Sequence, residues 1–213
     1  MVAGRDQHRA DASNGSRTAR RDVTIDPYLD PESGVLRNRL GITDEEKLRR
    51  AEADLTYAAL ADLRIRILPG GYDLRHLCAF HLEIFGDIYP WAGEVRTIGI
   101  ARTEPFCLPS HIDSYAAQVF GQLAAENFLR GATRQVFVDR LTHFLAEVNA
   151  IHPFREGNGR AQRAFFGQLA RQAGHPIDWS LLDPVENATA SRLSLVGDNR
   201  PLRGLLDRLV QPE

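Results

Sequence analysis

Apolar residues recur in this chain at three- and four-residue spacing in seven successive segments, and that period commits most of the backbone to helices. The segments run from Thr43 to about Ile67, Leu74 to Phe85, Ser110 to Leu129, Thr133 to Ala150, Asn158 to Arg171, Pro184 to Leu195 and Leu202 to Leu209. Thr43 reads as the first N-cap, with Glu46 in the capping-box position. One stretch breaks the period: Val95 to Ile100, rich in β-branched residues, reads as a strand of a short hairpin. A single hairpin among so many helices cannot make a sheet core, so the expected fold is all-α.

Residues 1–22 carry five arginines, three aspartates and almost nothing large and apolar. Such a segment cannot offset its own ordering entropy and is expected to be a disordered tail ahead of one domain over 23–213. Cys78 and Cys107 are too few for a disulfide framework, and no apolar run reaches the roughly 18 to 20 residues that span a bilayer. A cytoplasmic protein with no membrane partner is the expectation. A net charge of −2 gives no basic field and argues against direct nucleic-acid binding. Lys47 is the one lysine among 26 basic residues, and it sits in a charged run. Phosphate loops, ion pairs and Schiff bases that depend on lysine are thereby excluded.

Between the two most apolar helices lies His152-Pro153-Phe154-Arg155-Glu156-Gly157-Asn158-Gly159-Arg160-Ala161-Gln162-Arg163. Pro153 disfavours helical dihedrals at His152 and sets the imidazole on a helix-ending turn. Gly157 and Gly159 let backbone N–H groups approach a ligand, and the loop opens into a helix whose first N–H groups favour an anion. Arg160 and Arg163 share one helix face and can grip neighbouring phosphates. Glu156 is a hard oxygen ligand suited to Mg²⁺ held mainly by phosphate oxygens. Base, metal ligand, anion nest and cationic clamp within one short segment describe a nucleotide phosphate site.

The segment resembles the signature of the Fic (filamentation induced by cAMP) family, HxFx[DE]GNGRxxR, at every fixed position. Trp-Ala-Gly-Glu-x-Arg at Trp91 to Arg96 is also similar to the family, and the likeness extends over about residues 27–205. The resemblance implies a Fic-domain helical bundle with a short β-hairpin flap beside the active-site loop. It implies transfer of AMP from ATP to a protein hydroxyl, with His152 as general base and Glu156 holding Mg²⁺. Gly157, Asn158, Gly159, Arg160 and Arg163 would then bind ATP. Thr97, Ile98, Gly99 and Ile100 would dock the target main chain to main chain, the plainer alternative being a hairpin that merely covers the core. Adenine contacts are expected around Asp183 to Asn187. Glycine at 159, where phosphorylating relatives carry lysine, favours adenylylation.

The family's inhibitory pattern, [ST]xxxE[GN], is not present: His152, Gln122 and Leu182 precede Glu156-Gly157, Glu126-Asn127 and Glu186-Asn187 by four residues. The resemblance therefore points to a toxin restrained by a separate small antitoxin whose glutamate pairs with Arg163, with gyrase or topoisomerase IV subunits as targets. The alternatives are the Fic portion of a secreted effector and a catalytically quiet binding module. Outside the motif, His76, His81 and His143 read as structural, Trp91 and Trp179 as packing anchors, Phe154 as a core plug, and Arg155 as facing solvent or target.

Overall fold

The computed structural model describes residues 26–211, and the tail expected over 1–22 lies outside them. Among the described residues there are seven α-helices: α1 (Glu45–Ile65), α2 (Leu74–Phe85), α3 (Ile112–Ala125), α4 (Arg134–Ile151), α5 (Asn158–Ala173), α6 (Pro184–Leu195) and α7 (Arg200–Leu209). Helices α4 and α5 form the centre. α5 packs against α1, α2 and α4, and α4 against α3, α6 and α7. Burial follows the apolar stripes: Phe137, Leu141, Phe144 and Val148 of α4 and Phe165, Phe166 and Leu169 of α5 are buried. None of these helices is long and apolar enough to cross a membrane.

The ends of the elements depart from the sequence reading in three places. The N-cap of α1 is Asp44, whose carboxylate accepts from the Lys47 N–H at 2.8 Å; Glu46 turns instead to Arg49 and Arg50. A carboxylate one residue nearer the helix outcompetes the Thr43 hydroxyl for the free amides. The helix expected over Ser110 to Leu129 is broken after Ala125, where Asn127, Phe128 and Leu129 all take left-handed dihedrals.

The third departure is the hairpin. Residues Val95 to Ile100 form no strand ladder; the segment Val95 to Cys107, here called the flap, retains a single bridge, Ala101 to Pro105, and a closing bond from the Phe106 N–H to the Ile100 carbonyl. The reason lies in where its hydrogen bonds go. The Arg96 N–H donates to the Pro153 carbonyl and the Thr97 N–H to the Tyr28 hydroxyl, so the backbone is spent on the motif loop and on the N-terminal segment rather than on a second strand.

Candidate functional site

The motif loop joins two helix ends built in opposite ways. At the end of α4 every carbonyl has a donor: Val148 from Gln162 Nε2 at 3.2 Å, Asn149 from His152 Nδ1 at 3.2 Å, Ala150 from the Cys107 N–H at 3.0 Å, and Ile151 and His152 from the Arg96 guanidinium. At the start of α5 the N–H groups of Asn158 and Gly159 have no partner among the described residues; those of Arg160 and Ala161 fold back onto the Gly157 carbonyl. Two open amides at a helix N-terminus form an anion-binding end.

His152 caps α4 at φ 46°, ψ 62°, in the left-handed region rather than the extended one that a following proline ordinarily selects. The Arg96 bonds to the carbonyls of Ile151, His152 and Pro153 hold it there. Its ring stacks on Phe106 at 3.7 Å between centroids. Nδ1–H donates to the Asn149 carbonyl, so the neutral ring presents Nε2 as a free acceptor. Burial first, then the fields of Arg102 and Arg96, push its pKa down to about 4 against the opposing Asn149 bond.

Gly157 is demanded twice. It has φ +80°, and a Cβ there would lie 2.3 Å from the Phe85 ring. Gly159 is exposed, and a Cβ there would press on Arg163 Nη1 at 3.2 Å. Glu156 is half-exposed and its Oε1 accepts from the Gly157 N–H at 2.8 Å. Asn158 is buried, with Oδ1 accepting from the Phe154 N–H and Nδ2 donating to the Phe154 carbonyl, so its side chain holds the loop closed on itself. Phe154 is fully buried, the core plug the sequence suggests.

The two motif arginines diverge. Arg163 borders the main cavity and has no carboxylate partner among the described residues; burial and the field of Arg160 lower its pKa. Arg160 turns away, pairing with Glu52 of α1 at 2.6 Å, lying over the Phe85 ring and reaching Glu156 only at 3.6 Å. Tyr89 donates to the other oxygen of Glu52.

A cavity of about 1050 Å³ collects these groups. His152, Glu156, Gly157, Asn158, Gly159 and Arg163 form one end. Ile98, Gly99 and Ile100 of the flap overhang it, and Pro184, Val185 and Asn187 of α6 border the other end, inside the stretch expected to meet adenine. Thr97 is not part of the wall; its hydroxyl and N–H face Tyr28. Asp183 spends its carboxylate capping α6.

Several residues read as bland have definite places here. His81 is fully buried, donating from Nε2 to the Glu156 carbonyl and accepting at Nδ1 from the Gly93 N–H, and it stacks on Phe154 at 3.9 Å. Burial pushes its pKa down to about 4. It is structural as expected, but what it supports is the motif loop. His76 is likewise structural, tied to Tyr72 and Leu68. Trp91 packs against Tyr89 and Tyr28, whereas Trp179 borders the cavity. Arg155 does not face solvent freely; it pairs with Asp26 at 2.8 Å. Sequence reasoning missed Asp26, Asn149, Gln162 and Phe106 because none has a partner nearby in sequence. The role of Arg96 was equally hidden, although its motif was visible.

The model of the Fic/DOC family matches residues 71–170. The chain is 42% identical over 86% of its length to protein adenylyltransferase VbhT of Bartonella schoenbuchensis, spanning 38% of that longer protein. It is 36% identical to the probable protein adenylyltransferase Fic of Salmonella typhimurium, over 87% of this chain and 92% of that one. Among solved structures, BepC of Bartonella tribocorum with bound AMPPNP superposes at a TM-score of 0.82 with 26% identity, covering 87% of this chain and 97% of that one. A motif complete at every fixed position, a matching helical fold and relatives aligned along nearly their whole length converge: this chain belongs to the Fic/DOC family, among members named protein adenylyltransferases.

Proposed function

We propose that the chain moves AMP from ATP to a hydroxyl side chain of a target protein, releasing pyrophosphate. One observation carries this reading: a neutral imidazole with a free Nε2 shares a cavity with a helix N-terminus whose first amides are open. Nε2 of His152 takes the hydroxyl proton as the oxygen bonds to the α-phosphorus and the bond to the bridging oxygen of the leaving pyrophosphate breaks. The lowered pKa keeps the ring in its base form at neutral pH. The amides of Asn158 and Gly159 meet the phosphate charge. Arg163 holds the terminal phosphates, and Asn158 contributes by fixing the loop.

Arg160 supports the same loop through Glu52, and its reach toward phosphate requires that pair to open. Glu156 is the carboxylate that would hold Mg²⁺. No group of three His, Cys, Asp or Glu among the described residues could hold a metal alone, and one half-exposed carboxylate beside an anion site suits an ion that takes most of its ligands from phosphate and water. Such an ion would supply neutralisation of phosphate charge. The N–H groups of Ile98, Gly99 and Ile100, which border the cavity and have no partner among the described residues, are available to a target segment pairing main chain to main chain.

Regulation by a separate small antitoxin would place its glutamate on Arg163, which borders the cavity and pairs with no carboxylate among the described residues. Glu126 and Glu186 are occupied by Arg140 and Arg208. The reading is of a cytoplasmic toxin acting on gyrase or topoisomerase IV subunits and held by an antitoxin. The solved neighbours that are VirB-translocated Bartonella effectors favour a second reading, the Fic part of a secreted effector.

His152→Ala is expected to lower transfer of label from [α-³²P]ATP to protein on the order of 10²- to 10⁴-fold while ATP binding persists. Undiminished transfer overturns the assignment. Growth arrest on expression that His152→Ala abolishes and a co-expressed antitoxin relieves supports the toxin reading. Equal arrest by both proteins favours a binding module.

A further inference from the structure

We infer that Arg96 is a positioning residue for the transfer reaction: one buried guanidinium fixes both the base at the end of α4 and the flap above it. The inference rests on the reading of His152 as the base. Arg96 is only 1% exposed and has no carboxylate partner among the described residues. Its donors go instead to four backbone carbonyls: Nε to His152 at 2.8 Å, Nη1 to Ile98 at 2.7 Å, and Nη2 to Cys107 and, at 3.3 Å, to Ile151. Its own N–H adds the Pro153 carbonyl at 2.8 Å.

Burying an unpaired cation is costly, and a helix C-terminus can be capped far more cheaply by a glycine. What the planar fork adds is simultaneity. Two of its bonds fall on the helix end that carries His152, and two fall on the flap at either side of Phe106, whose ring stacks on the imidazole. The Cys107 N–H closes the same loop onto the Ala150 carbonyl. A lysine ammonium is a point donor and cannot span these carbonyls. The phosphate end is not part of this set, since Arg96 has no hydrogen bond to Gly157, Asn158, Gly159 or Arg163. Base and flap should therefore lose register together when Arg96 is replaced, with nucleotide binding preserved.

The test uses Arg96→Lys and Arg96→Gln in the full chain, with His152→Ala beside them. Three measurements are made: AMPPNP affinity, transfer from [α-³²P]ATP to total bacterial lysate protein, and the ¹⁵N spectrum of the His152 imidazole. Both Arg96 variants are expected to bind AMPPNP within about twofold of wild type and to lose transfer on the order of 10²-fold, as a misplaced reacting group does. Their imidazole should shift from a single Nδ1–H tautomer to a mixture. Transfer by Arg96→Lys within about twofold of wild type overturns the inference, since the fork is then dispensable. AMPPNP binding lost in both variants also overturns it, because Arg96 is then a requirement of the whole fold. If His152→Ala keeps its transfer, it is the base assignment that fails, and the tautomer spectrum still reports whether Arg96 fixes the ring.

Discussion

The end of α4 and the start of α5 face each other across one short loop, and they use their unpaired backbone groups in opposite ways. At α4 the carbonyls are all met by Arg96, Gln162, Cys107 and His152, so that end has no capacity left for a ligand. At α5 two amides stay open toward the cavity. The difference is one of sign as well as satisfaction. Carbonyls repel phosphate and must be neutralised before an anion can sit nearby, whereas amides attract it. In the proposed reaction a saturated end thus carries the base, and an open end receives the charge.

The sharpest way to break this contrast is at the open end. Gly157→Ala must leave φ +80° or displace Phe85, and it is expected to cost about 2 to 4 kcal/mol of stability together with most of the nucleotide affinity. Calorimetric unfolding and AMPPNP titration check both. A fully stable variant that binds nucleotide would show the loop to be more pliant than its packing implies.

Acid should act on the saturated side. His81 and His152 both have pKa values pushed down to about 4, so between roughly pH 6.5 and 4 the unfolded chain binds protons that the native chain refuses. Stability is expected to fall as pH is lowered through that window, by about 3 kcal/mol at most for each ring, and to level off below it. Urea midpoints between pH 7 and pH 4 measure this. The His81→Phe variant should flatten the slope, because an apolar ring can fill the same stack on Phe154.

Smaller effects separate binding from folding. Arg163→Ala removes a guanidinium that no carboxylate among the described residues holds, so the KM for ATP should rise about tenfold while stability changes by less than about 0.5 kcal/mol. Gln162→Leu does the reverse, since it removes one of the two hydrogen bonds to the Val148 carbonyl, which keeps only the His152 N–H. It should cost about 1 kcal/mol in thermal unfolding and leave the KM for ATP unchanged.

The helices were legible because each carries its own apolar stripe, a local property readable within two turns. The catalytic loop was legible for a related reason: base, carboxylate, glycines and arginines stand within one segment. The flap misled because β-branched residues report what a backbone prefers, not which partners are near. At Val95 to Ile100 the partner is the end of α4, and a cap outcompeted a second strand. The partners of Arg155 and Arg160 were hidden for the same cause, since Asp26 and Glu52 are remote in sequence.

By itself the sequence determined the all-α class, the family and the inventory of the site, because periodicity and a contiguous motif need only neighbours along the chain. Tertiary structure decided which of two similar arginines pairs with a carboxylate, which nitrogen of His152 is bonded to a carbonyl, and which cation seals the helix that holds it. Those choices are made by buried groups from distant segments competing for hydrogen bonds, and that competition exists only once the chain has closed around them.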